Sequence, residues 1–177
     1  MKLDSFTTVL TLIGLCGAAP ASAQAASQRA EIVGEGGKAL GDVTFTQAPK
    51  GILLRVRVSG LAPGWHGMHI HSVATCADVG FKASGGHVHA ASATAPVHGL
   101  LSPLETDLGD LPNIYAGADG LANAEVFASS LSLGEAAGRL NLLDSDGSAL
   151  IIHASPDDHV SQPIGGAGAR VACAPIK

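Results

Sequence analysis

The chain has 177 residues and a formal net charge of −5, which suits one domain of ordinary size and argues against two full ones. With 46% hydrophobic and only 14% charged residues, it is too apolar for disorder. No cluster of Lys and Arg occurs, which argues against nucleic acid or an anionic membrane as partner; an anionic small substrate would need a local positive site.

The N-terminus carries Lys2, an apolar stretch from Val9 to Leu15, and then Ala21-Ser22-Ala23. That order of charge, hydrophobic run and small residues is a secretory signal over residues 1–23, with an apolar run too short to cross a bilayer. Residues 24–177 are then the folded domain, exported to the periplasm and free of the membrane after cleavage. Cys16 raises a lipoprotein alternative, although Leu15 stands where such signals carry a small residue. Beyond the signal, Cys76 and Cys173 are the two cysteines left, and in an oxidising compartment they should pair. The bridge would close a loop of roughly 100 residues, for which chain entropy gives on the order of 4–5 kcal/mol.

Next come strand patterns at Glu31–Val33, Val43–Thr46 and Ile52–Val58. In the last, Leu54, Val56 and Val58 share one face while Arg55 and Arg57 share the other, the period-two pattern of a half-buried strand. Gly36-Gly37 and Pro49-Lys50-Gly51 supply turns. Further strands are expected at Gly67–His71, Asn123–Ala128, Ala149–Ala154 and Arg170–Ala174. The segment from Ser72 to Gly117 is rich in Gly, Pro and Ala and too long for a simple connection, so it reads as a functional loop held by something other than its own core. The fold class is all-β: an antiparallel Greek-key sandwich or barrel with a long, disulfide-anchored, metal-binding loop.

All eight histidines lie between His66 and His159. His69 and His71 sit two apart on a strand and project to one face, so both can reach one metal; alternatively, one packs in the core and the other is solvated. His87 and His89 repeat the spacing, His98, Asp107 and Asp110 follow, and His153 ends an apolar strand. Imidazoles with nearby carboxylates fit copper or zinc better than a sulfur or all-oxygen site would.

Several ordered motifs then resemble the copper/zinc superoxide dismutases, in their bacterial exported branch. They are Gly-Trp-His66-Gly-Met-His69-Ile-His71; Cys76 with Phe-Lys-Ala-Ser-Gly-Gly-His87; Gly109-Asp110-Leu-Pro-Asn113; Asp-Gly-Ser-Ala-Leu-Ile-Ile-His153 with Asp157-Asp158; and Gly-Ala-Arg170-Val-Ala-Cys173. The resemblance implies that His69, His71, His87 and His153 bind copper. It makes His87 the imidazolate shared with zinc, and His98 and Asp110 further zinc ligands. Asp157 becomes the carboxylate that hydrogen-bonds His69 and His98, Arg170 the guanidinium that holds superoxide beside copper, Cys76–Cys173 the family disulfide, and His66 a structural residue. Two departures stand out. The third zinc histidine falls on Asp107, leaving a two-His, two-Asp zinc site or none; and His89 takes the place of the usual Asn or Asp after the bridging histidine. His159 reads as an exposed loop residue.

The function so implied is dismutation of superoxide by a copper centre, with zinc as an optional second metal, in a monomer or homodimer. The alternatives are an exported copper-binding or copper-buffering protein of the same fold, and a sandwich with an interaction role.

Overall fold

The structure is a computed structural model that describes residues 25–90, 92–104 and 106–177; the secretory signal expected over residues 1–23 lies outside the described residues. Ten strands form in chain order: β1 (Ser27–Gly34), β2 (Ala39–Ala48), β3 (Gly51–Val58), β4 (Gly64–His71), β5 (Asp110–Ala116), β6 (Ala122–Ala128), β7 (Leu131–Ser132), β8 (Leu140–Asn141), β9 (Ser148–His153) and β10 (Arg170–Ile176). Eight of them make one antiparallel sheet in the order β5-β4-β9-β10-β1-β2-β3-β6. Its two edges approach each other, so the sheet is a nearly closed barrel. The chain crosses from β3 to β4 and from β6 to β9 without pairing them, which makes the topology Greek-key.

Alternation builds the core. In β3, Ile52, Leu54, Val56 and Val58 point inward and Arg55 and Arg57 outward, as the period-two pattern requires. Phe45, Ile32, Met68, Ile70, Leu111, Leu150 and Ile152 fill the barrel and are fully buried. β9 departs from alternation because every residue in it is buried. Its outer face carries a second, small core in which Phe81, Ala149, Ile151 and Cys173 pack with the half-buried Val33 and Cys76.

That outer core fixes the long loop. Cys76 and Cys173 are bonded, with Cα atoms 5.8 Å apart, so the loop is tied to β10. Phe81 drops its ring beside the bridge at the cost of a left-handed backbone (φ 54°), unusual for a residue with a side chain. Burying a phenyl ring contributes about 2–3 kcal/mol, enough to offset strain of roughly 1–3 kcal/mol.

The expected loop from Ser72 to Gly117 is shorter than the sequence suggests, because its last part is β5. Asp110, Pro112 and Asn113 read as turn residues, yet Leu111, Ile114 and Ala116 face the core. Pro112 is tolerated because β5 is an edge strand and the β4–β5 register shifts between His66 and Met68.

Replacing both bridging cysteines by serine should lower the unfolding free energy of the metal-free protein by about 4 kcal/mol. Urea unfolding of the variant against the oxidised parent, both metal-free, reads this directly.

Candidate metal centre

The centre is built on the outside of the barrel, where two long loops, residues 72–109 and 154–169, cover β4 and β9. In β4, Met68 and Ile70 enter the core, which turns His69 and His71 outward under the loops, where both are still buried. His153 ends β9 and lies opposite Arg170, the first residue of β10. The loop brings in His87 through a bridge to His71. The Ile70 amide donates to Gly109 O at 2.8 Å, the Val88 amide to Ile70 O at 3.2 Å and the Gly109 amide to Val88 O at 3.1 Å, so three segments interlock. Gly109 is required there, since a Cβ would stand 2.5 Å from Ile70 O.

The ring of His87 lies 4.0 Å from that of His69, 5.1 Å from His71 and 6.2 Å from His153, centroid to centroid. Three of these rings each use one nitrogen on a fixed acceptor: His69 Nε2 on Asp157 Oδ2 at 2.7 Å, His71 Nδ1 on Gly85 O at 2.9 Å, and His153 Nδ1 on Gly168 O at 3.0 Å. An acceptor obliges its partner nitrogen to carry the proton, which fixes the tautomer and strips the proton from the opposite nitrogen. The opposite atoms, His69 Nδ1, His71 Nε2 and His153 Nε2, are buried without a hydrogen-bond partner, as is His87 Nε2. Atoms of these four side chains lie within 4.8 Å of one another. Four bare imidazole nitrogens at that spacing are a donor set for copper.

A second cluster adjoins it through His87. His87 Nδ1 lies 3.4 Å from both Asp107 Oδ2 and Asp110 Oδ1, and His98 Nδ1 lies 2.8 Å from Asp110 Oδ2 and 3.6 Å from Asp107 Oδ2. His87 Nδ1, His98 Nδ1, Asp107 Oδ1 and Asp110 Oδ1 are again buried without hydrogen-bond partners. The second metal-sized group is His69, His87, His98 and Asp110. The free nitrogen of His69 faces the first cluster, and Asp107 borders the second, with Oδ2 3.4 Å from His87 Nδ1 and 3.6 Å from His98 Nδ1. Two imidazoles and two carboxylates are residue types that could hold zinc, and such a set would be more anionic than one with three imidazoles.

Asp157 joins the clusters. Its carboxylate is fully buried and accepts from His69 Nε2 through Oδ2 and from His98 Nε2 through Oδ1 at 3.1 Å. The His159 amide also donates to Oδ1, at 2.6 Å, and Asn113 clamps the backbone of Asp157, accepting from its amide at 2.9 Å and donating to its carbonyl at 2.8 Å.

The family model for copper/zinc superoxide dismutases matches residues 39–176. The chain belongs to that family. The copper-zinc superoxide dismutase of Caulobacter vibrioides is 56% identical over 141 residues, 80% of each chain. Among solved structures, a superoxide dismutase-like protein from Bacillus subtilis superposes with a TM-score of 0.78 at 33% identity, covering 85% of this chain and 98% of that one. The copper/zinc superoxide dismutase of Brucella abortus gives 0.70 at 28% identity, covering 86% and 100%. The family is a copper and zinc family, and the two clusters of bare donors fit both ions.

The structure therefore gathers His69, His71, His87, His98, Asp107, Asp110, His153 and Asp157 at one site, with Arg170 bordering it through its pairing with His153. The ring nitrogens of His66 face His153 O at 2.7 Å and Ala62 O at 2.8 Å, so this residue ties β4 to neighbouring backbone and has no nitrogen left for a metal. His89 is exposed, and its backbone bridges to Asp107. His159 is not a plain exposed loop residue: it is half-buried, and its left-handed backbone (φ 61°) aims its amide at Asp157. Sequence reasoning also missed Asn113, quoted only as part of a motif, and Gly165, where a Cβ would collide with Asp157 Oδ1. A glycine in a loop carries no sign that a carboxylate lies against it.

Burial sets the protonation of the centre. Desolvation, with His69 as the next cause, lowers the His153 pKa from its ordinary 6.5 to about 4, and desolvation lowers that of His71 to about 2. Burial alone would raise Asp157, but hydrogen bonds from His69, His98 and the His159 amide hold it well below the usual carboxylate range. Burial likewise pulls His87 down, yet contacts with Asp107 and Asp110 carry its pKa above the ordinary value.

In the metal-free protein, the unfolded chain takes up protons at His71 and His153 near pH 6.5 while the folded chain does not until about pH 4 or lower. Stability should therefore fall with pH from 6.5 downward, by on the order of 3 kcal/mol from His153 alone once pH 4 is reached. His87 offsets part of the loss. Urea midpoints of the metal-free protein at pH 7 and pH 4.5 should show the decline; an unchanged midpoint would contradict it.

Proposed function

We infer that the chain dismutates superoxide, converting two superoxide anions and two protons to dioxygen and hydrogen peroxide. The observation that carries this reading is the convergence of four bare imidazole nitrogens, on His69, His71, His87 and His153, in a strand register that sets His153 beside Arg170. Copper held by those nitrogens supplies a one-electron couple, chemistry that zinc lacks.

The chain's own residues do the remaining work. Arg170 holds the anion by charge-assisted hydrogen bonds from a guanidinium that stays charged at every working pH. From Asp157 to Ala169 no Lys or Arg occurs, so Arg170 acts at close range with little long-range steering from that loop. His87 has one free nitrogen towards each cluster, which suits its Nε2 to hold a proton and deliver it to the reduced anion. Asp157 fixes the rings of His69 and His98 through their outer nitrogens, so the free nitrogens keep their aim. The loops exclude water from the buried carboxylates, which strengthens every interaction within.

The second cluster, His87, His98, Asp107 and Asp110, is proposed to take zinc, with Asp107 weakening the site. The protein is proposed to act in the periplasm as a monomer or homodimer, without membrane attachment after signal removal. In support, the disulfide suits an oxidising compartment, and no helix among the described residues is long and apolar enough to cross a membrane. A copper store of the same fold would need neither Arg170 nor the shared Asp157.

Copper-loaded protein should dismutate superoxide in pulse radiolysis, and Arg170→Ala should lower kcat/KM about ten- to hundredfold while copper content stays constant. His153→Ala should fail to retain copper on metal analysis. Copper-loaded wild type without turnover would instead favour the storage reading. Asp107→His should tighten zinc binding, read by competition with a chromophoric chelator; equal affinity in both proteins would remove Asp107 from the site.

A further inference from the structure

We propose that Ser84 is a positioning residue that sets the Arg170 guanidinium, and through it the affinity for the substrate anion; this rests on the dismutase reading above. Ser84 closes the short 3-10 turn Val79–Ser84 and is fully buried. Its hydroxyl donates to Phe81 O at 2.8 Å and accepts from Arg170 Nη1 at 3.2 Å. The same oxygen lies 3.5 Å from His71 Nδ1, so it stands between the guanidinium and an imidazole of the first cluster.

The rest of the cradle is backbone. Arg170 Nη1 also donates to Phe81 O at 2.7 Å, and Nη2 donates to Gly85 O at 2.8 Å. Phe81 O and Ser84 Oγ, themselves 2.8 Å apart, thus both accept from Nη1, and Gly85 O accepts from Nη2. The Nε hydrogen and the second on Nη2 donate to no protein atom among the described residues, and those two form one planar edge able to take an oxyanion through paired bonds. Which edge stays free depends on how the group is rotated, and Ser84 contributes twice to that. It accepts from Nη1 directly. It also ties down Phe81 O, the other acceptor of Nη1, whose residue is held by its ring under the disulfide. Among the three acceptors, Ser84 Oγ alone belongs to a side chain, so it can be removed without moving backbone.

The experiment is an azide titration of copper-loaded protein, followed by the shift of the visible copper absorption, with copper content matched by metal analysis. Ser84→Ala should weaken azide binding about fivefold, the worth of one ordinary hydrogen bond, and raise KM more than it lowers kcat. Ser84→Thr should bind azide as wild type does. In an Arg170→Ala background, Ser84→Ala should have no further effect, because a positioning residue has nothing left to position. Ser84→Gly replaces the alanine variant if that one does not fold. Wild-type azide affinity in Ser84→Ala, a full effect persisting without Arg170, or loss of copper instead of azide affinity would each overturn the proposal. A wild type that binds azide yet leaves superoxide untouched would sink the dismutase reading, while the Ser84 comparison would remain readable.

Discussion

A buried imidazole nitrogen without a hydrogen-bond partner costs on the order of 1–3 kcal/mol in a metal-free protein, and this chain aims four of them at one point. Side chains free to move would turn away or pair with one another. Three of them stay because the opposite nitrogen is held by an acceptor that cannot yield: a backbone carbonyl for His71 and His153, a clamped carboxylate for His69. The fourth, His87, is placed by the backbone bridge of its loop to His71. The barrel supplies the rigidity. His69 and His71 alternate with core residues of β4, and His153 follows directly on core residues of β9, so moving these imidazoles would disturb the packing of Met68, Ile70 and Ile152.

The loops have the complementary task. Having no extended core of their own, they are fastened at a few strong points: the disulfide, the Phe81 ring, the backbone interlock of Ile70, Val88 and Gly109, and the Asn113 clamp on Asp157. Each fastening lies close to a residue of the site. Asp157 serves both clusters at once, so a displacement of one imidazole reaches the other through a single carboxylate.

Much of this was legible in the sequence, by two different routes. Alternation in Ile52–Val58 and the His69–His71 spacing follow from strand geometry, and both hold in the structure. The convergence of His153 on His69 could not come from local pattern; it came from the resemblance of ordered motifs, because only topology brings residues so far apart together. β5 was hidden because Asp110, Pro112 and Asn113 carry turn chemistry while their neighbours face the core. Asn113, His159, Ser84 and Gly165 were hidden more deeply, since their roles lie in contacts with loop backbone or with a carboxylate that no spacing rule anticipates.

The mounting of the centre on the outer wall, away from the barrel interior, separates two kinds of tolerance. A core position such as Phe45 or Leu54 answers to volume, and any change there is felt throughout the barrel. A loop position such as Asp107 answers only to a few neighbours, His87 and His98 among them, so its identity can drift without unsettling the scaffold. The second cluster is therefore the adjustable half of the centre: a carboxylate in place of an imidazole changes its charge while the strand-borne histidines and the barrel beneath them keep their form.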